Sequence, residues 1–251
     1  MVTTILTKTA IAVIALIIIF LITGRRIWHY KGYLALFLLL YFADNLLIVL
    51  TNRYPALQLI PNHVWEGFLV CVWSGKIYSI LFTLSLLYIT RRILSFTEIG
   101  LTLHQRKGSL LPSLVVILLL AGWAILVGIF SPKGSFDPIA LVYLALMPGI
   151  NEELVYRGYL LGILNKLMPV KINVLGATIG WGVVVTSILF SLLHGFGFEN
   201  DLSIHIDMIA LRNSFLSGLI FAWLRERTGS LLMPIVAHGI EDFFFFFPRM
   251  V

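Results

Sequence analysis

Charge is scarce in this sequence. Asp, Glu, Lys and Arg together make up 12% of it, against roughly 25% in an ordinary soluble domain. That excludes a water-exposed surface over most of the chain. Cysteine is nearly absent: Cys71 stands alone, which rules out an internal disulfide framework and fits a small apolar filler. No internal repeat is present, and no alternating strand pattern of the kind a membrane barrel needs. The only low-complexity run, Phe243 to Phe247, reads as a lipid-facing helix end. What the chain has in abundance is apolar side chains, 59% of residues, with a mean hydropathy of +0.98. The net charge of +6 could suit nucleic acid. In so apolar a chain it reads instead as basic residues holding loops on the cytoplasmic side, so no nucleic-acid partner is expected.

A spanning helix needs roughly 20 mostly apolar residues. Runs that meet this description cover about 5–23, 33–50, 68–90, 110–130, 138–167, 176–194, 208–224 and 231–247. Lys8 precedes an apolar core, as in a signal peptide, but no small-x-small cleavage site follows and Arg25-Arg26 resembles a stop-transfer signal. The first run is therefore expected to stay as a helix. Backbone groups in lipid must be satisfied within the segment, which favours helices throughout. The expected fold is all-α: a polytopic transmembrane helix bundle with about eight spans. Residues 1–130 form a four-span region without motifs, 131–251 a second four-span region with them, and the two are expected to fold as one unit. The stretch 93–108 reads as a loop or a short interfacial helix. Pro148-Gly149 predicts a kink or break in the fifth span. Basic residues such as Arg91, Arg92, Arg106, Lys107, Arg225 and Arg227 fall in alternate loops, which places both termini away from the cytoplasm.

Ionisable residues inside spans cost about 2.5–3.5 kcal/mol each on insertion scales, so they mark pairs, cavities or chemistry. The N-terminal half has few: Asp44, Asn45 and Lys76, read as a buried Asp44–Lys76 pair. The C-terminal half has many. Asn151, Glu152, Glu153 and Arg157 lie in the fifth run, His194 closes the sixth, and His238, Glu241 and Asp242 lie in the eighth. Glu153 and Arg157 are four apart and face each other on a helix, while Glu152 lies about 100° round the axis and stays available as a base. His238 and Asp242 also share a face, and the Asp can hold the His in one tautomer. Ser230 can cap the last helix. Asp207 and Arg212, at the head of the seventh run, suit a salt bridge or a substrate-gate contact. Together these groups read as a water-filled intramembrane site in which Glu152 activates water and the histidines share a proton, polarise a carbonyl or bind Zn²⁺.

The three segments resemble the signature of the CPBP family, which includes the CAAX prenyl endopeptidases and bacteriocin-processing proteins and is also called the Abi family. Its pattern is a Glu-Glu-x-x-x-Arg helix, a Phe-x-x-x-His helix and a His-x-x-x-Asn/Asp helix. Here Glu152, Glu153 and Arg157 supply the first, Phe190 and His194 the second, and His238 and Asp242 the third. The resemblance covers residues 146–242. It implies an intramembrane endopeptidase acting on a membrane-associated protein or peptide in a prokaryotic cell membrane. In that scheme Glu152 with His194 activates the attacking water, and His238 with Asp242 stabilises the oxyanion. Glu153 and Arg157 organise the site. The resemblance leaves a metal-free glutamate mechanism and a Zn²⁺ site on Glu152, His194 and His238 both open. An Asn at position 242 could donate to an oxyanion, but Asp242 can do so only when protonated; otherwise it orients His238. Two other readings compete. One is a transporter or proton relay, which predicts two related halves with broken helices. The other is a non-catalytic immunity or scaffold protein on the same fold.

Overall fold

Each long apolar run becomes a helix. The computed structural model describes residues 2–66 and 69–251. Helix α1 (Val2–Thr23) leads through a 3-10 turn (Gly24–Tyr30) into α2 (Lys31–Arg53). A small hairpin, β1 (His63–Trp65) and β2 (Leu69–Cys71), precedes α3 (Trp73–Thr90), and α4 (Leu110–Ile129) follows after irregular turns. Then come α5 (Pro138–Glu152), a π-helical segment (Glu153–Leu160) and α6 (Leu161–Leu167) in one continuous rod. Hairpin β3 (Lys171–Val174) and β4 (Ala177–Gly180) leads to α7 (Trp181–Gly195). Hairpin β5 (Phe196–Phe198) and β6 (Ile204–Ile206) leads to α8 (Met208–Thr228), and α9 (Leu232–Phe246) closes the fold.

Local chemistry accounts for the boundaries. Pro138 opens α5 where its missing N–H costs nothing, and Asp137 caps it by accepting from the Ala140 amide at 2.9 Å. Asp207 caps α8 by accepting from the amides of Ile209 and Ala210. Gly229, at φ +75°, ends it in the left-handed region that suits glycine. Ser230 Oγ accepts from the Leu232 amide at 3.1 Å, but the N-cap position of α9 falls on Leu231, which has no side-chain cap, so Ser230 stands one residue before the place expected of it.

Among the described residues, three helical stretches are long and apolar enough to cross a membrane: Thr3–Arg53, Leu110–Ile129 and Pro138–Leu167. The first holds α1 and α2, two of the expected runs. Length and composition alone do not extend to eight crossings, because α7 and α9 have 15 residues each and α8 carries Arg212, Arg225, Glu226 and Arg227. The most apolar window of Leu110–Ile129 is 22% buried within the protein, against 67% for that of Pro138–Leu167. The first therefore offers its leucines to lipid, while the second is the central post of the bundle. It packs against α3 on one side and α9 on the other.

Several expectations need correction. The helix continues past Pro148-Gly149, and its departure from α geometry comes at Glu153–Leu160, where the turn widens to a π-helix. Every residue of that segment is buried. Such widened turns often occur at functional sites. The fold is helical but not purely so, since three two-stranded hairpins join helices among the described residues. The third run begins later than expected, at Trp73, and Phe68 lies outside the described residues. The phenylalanine run is half-buried over most of its length: Phe246 meets the Trp65 ring edge-on at 5.8 Å. Cys71 is a buried filler, as expected, and burial, with Asp137 adding to it, pushes its thiol up to about 11.

Candidate active site

Glu152 ends α5 and Glu153 opens the π segment, so the two carboxylates leave the central post in different directions. Glu153 is fully buried. Its Oε1 accepts from Arg157 Nη1 at 3.0 Å and from His238 Nδ1 at 2.8 Å. The guanidinium of Arg157, also fully buried, lies 4.2 Å from the Phe190 ring centre and 5.4 Å from that of Phe221. Cation–π attraction thus serves the part of the charge that Glu153 does not. His238 stacks on Phe221 at 4.8 Å. Phe190 of the second motif therefore touches both Arg157 and, at 5.9 Å edge-on, His238.

This arrangement corrects the expected tautomer holder. Glu153, not Asp242, fixes the His238 ring; Asp242 Oδ2 stands 3.6 Å from Nε2, beyond hydrogen-bond length. Glu241 turns elsewhere and accepts from Ser217 Oγ at 2.6 Å.

Glu152 faces His194. Its Oε2 lies 3.9 Å from His194 Nε2 and has no hydrogen-bond partner among the described residues. His194 Nδ1 is 2.7 Å from the Phe190 carbonyl. A carbonyl only accepts, so Nδ1 carries a proton and the neutral ring presents a bare Nε2 to Glu152. The gap is too long for a direct bond and suits a bridging water. His194 stands in the last turn of α7, which ends at Gly195.

Lys76 of α3 reaches Glu152, not Asp44. Its Nζ donates to Glu152 Oε1 at 2.7 Å and to Asn151 Oδ1 at 3.3 Å. Asp44 instead accepts from Ser79 Oγ, in a short contact, and from Asn151 Nδ2 at 3.4 Å. Asn151 Nδ2 also reaches Ser79 Oγ at 2.8 Å. Glu152 is therefore not left free by Arg157 alone; it is held by a cation from the motif-free half. The visible signal was Lys76 itself, a charge inside an apolar run, and only its partner was misread. Asp207 and Arg212 do not pair with each other: Asp207 caps α8, and Arg212 donates to Asn213 Oδ1.

Two cavities flank this site. One, about 830 Å³, is mostly apolar and lies between α4, α7, α8 and α9; His194, His238, Glu241, Asp242 and Arg212 all line it. The other, about 310 Å³, brings Lys8, Asp44, Asn45, Lys76, Asn151 and Glu152 together with apolar residues such as Ile48, Val49 and Leu193. Glu152 and the histidines thus come together across a boundary and do not share one chamber.

Among the described residues no group of three His, Cys, Asp or Glu side chains is placed to hold a metal ion. Both ring nitrogens of His238 face Glu153 and Asp242, and the Lys76 ammonium already sits on Glu152. The Glu152, His194 and His238 donor set does not fit Zn²⁺ in this arrangement.

Fold and site together define a helical membrane protein whose ionisable residues converge from separate helices beside the central post. Residues 134–244 match the family model described as type II CAAX prenyl endopeptidase, Rce1-like, which supports the CPBP membership that the three motifs indicate. An uncharacterized 24.3 kDa protein of Escherichia coli is 29% identical over 111 residues, a stretch that makes up 44% of this chain and 44% of that protein. No solved structure matches. All six motif residues, together with Phe190, lie inside the matched stretch; Asp44, Lys76 and Ser79 lie outside it.

Proposed function

We propose that the protein is an intramembrane endopeptidase, crossing a prokaryotic cell membrane about eight times and hydrolysing a peptide bond of a membrane-associated protein or peptide. The observation that carries this reading is the facing pair Glu152 Oε2 and His194 Nε2, 3.9 Å apart on different helices. A water between them gives its proton to Glu152 as its oxygen attacks the peptide carbonyl carbon. The resulting oxyanion lies toward His238 and Asp242 on the wall of the larger cavity, and each serves it as a donor only with a proton on Nε2 or on the carboxyl. The C–N bond then breaks, and the proton passes by way of His194 to the departing amine. Glu153 and Arg157 hold His238 in place from behind and do not touch substrate. The apolar cavity of about 830 Å³ suits the hydrophobic part of a lipid-embedded or lipid-modified chain. The Lys76–Glu152 pair and the spread of the donors favour a metal-free glutamate mechanism.

Purified Glu152→Gln and His194→Ala variants are expected to fold and insert like the wild type and to lose cleavage. Full activity in either, on a substrate the wild type cleaves, would remove that residue from the mechanism.

A further inference from the structure

The region matched to the family, residues 134–244, begins well after α3, yet α3 supplies the cation nearest the catalytic carboxylate. We propose that Lys76 is a positioning residue of this active site, an inference that rests on the endopeptidase reading and extends it to the N-terminal half. Lys76 is 7% exposed and Glu152 15% exposed at the side chain, so neither partner has bulk water to fall back on. Lys76 takes one oxygen of Glu152 and leaves the other alone. With Oε1 tied at 2.7 Å, the carboxylate cannot spin, and Oε2 points at His194 Nε2. A buried carboxylate without that tie would have two equivalent oxygens and several rotamers to choose from.

Lys76 is itself placed by three helices. Its second acceptor, Asn151 Oδ1 at 3.3 Å, belongs to a side chain whose amide reaches Ser79 Oγ on α3 and Asp44 Oδ1 on α2. Asp44 therefore stands behind the same chain of contacts without touching Lys76. Gly75, beside Lys76, lets α3 approach α2 closely: a Cβ there would lie 2.6 Å from Thr51 Oγ1 and 2.9 Å from the Ile48 Cα. The cavity around Lys76 and Glu152 also presents Asp44, Asn45 and Asn151 to the pair, among apolar residues. A lysine serving only to join helices would need no such aim at one oxygen.

The test uses full-length protein in detergent micelles. The probe is a quenched-fluorescent peptide carrying an S-farnesylated cysteine followed by three residues. Turnover is expressed per folded molecule, from the monodisperse fraction on size exclusion. Lys76→Met is expected to lower kcat by about tenfold to a hundredfold, the range for losing a hydrogen bond to a charged group, with KM little changed. Lys76→Gln, which keeps a donor and adds no unpaired cation, gives the same reading should the Met variant fold poorly, with a smaller loss. Lys76→Arg restores the charge and is expected to recover more kcat than either. Wild-type kcat in both Lys76→Met and Lys76→Gln would overturn the inference, as would a rise in KM alone or an Arg variant no better than Met. The Glu152→Gln arm separates the two levels. If it cleaves like the wild type, Glu152 is not the base and this inference falls with that assignment. If it is inactive while Lys76 variants stay fully active, only the inference falls.

Discussion

Replacing Gly239 by alanine should wedge α5 and α9 apart and loosen the site they build. A Cβ at Gly239 would stand 2.2 Å from the Ala145 carbonyl oxygen and 3.1 Å from its carbon. Both atoms are backbone, so no side chain can swing away. Carbon–oxygen contacts settle at about 3.3–3.6 Å, and relief therefore requires the helices to separate by roughly 1 Å. Gly149 faces back from α5, where a Cβ would meet the Ile235 carbonyl oxygen at 2.8 Å; the two glycines make this a close backbone crossing. Overpacking of this kind costs about 1–3 kcal/mol. At about 2–4 °C per kcal/mol for a chain of this size, the melting temperature in detergent should fall by about 2–12 °C. His238 adjoins Gly239, so the same shift would stretch its 2.8 Å bond to Glu153, and a misplacement of about 1 Å can cost ~100-fold in rate. Gly122→Ala on α4 is the control, since a Cβ there meets nothing within 4 Å; it should hold or raise the melting temperature. The assay is thermal unfolding by intrinsic fluorescence with turnover per folded molecule. Unchanged melting and unchanged turnover in Gly239→Ala would refute the reasoning.

Other outcomes follow from the same geometry. Arg157→Ala strands the fully buried Glu153 carboxylate and should destabilise by about 3–5 kcal/mol, read as lost monodisperse protein, whereas replacing Glu153 and Arg157 together by Leu and Met should recover much of it. Burial pulls Asp137 upward, but the Ala140 amide and His63 outweigh it and hold this carboxyl below its usual range. A group depressed in the folded state stabilises above its unfolded value, near 3.9, and loses that contribution as pH falls through the folded value. Acid unfolding of Asp137→Asn should thus depend less on pH below about 4 than that of the wild type, measured by melting across a pH series.

The helices were legible because an apolar run long enough to span leaves few alternatives. The motif residues were legible too, since an ionisable group inside such a run has to be explained. Partners were harder to read. Spacing along one helix found the Glu153–Arg157 pair, which is local. It could not find that Glu153 reaches His238 or that Lys76 reaches Glu152, because those contacts depend on how separate helices pack. Asp44 was the nearest acid in an adjoining run, but Ser79 and Asn151 already occupy its carboxylate. The hairpins were hidden by brevity: β3 and β4 have four residues each, and their turn rests on Leu175 and Gly176, both at positive φ. The π segment was also invisible, since Pro148 drew attention to a position that the helix passes through.

The central claim is that Glu152 activates water for peptide hydrolysis in the membrane. Comparing membrane-protein termini by mass spectrometry, in cells with the wild-type protein and cells with Glu152→Gln at equal abundance, tests it without prior choice of substrate. New termini that appear only with the wild type are the expected result. Identical sets of termini in the two would contradict it.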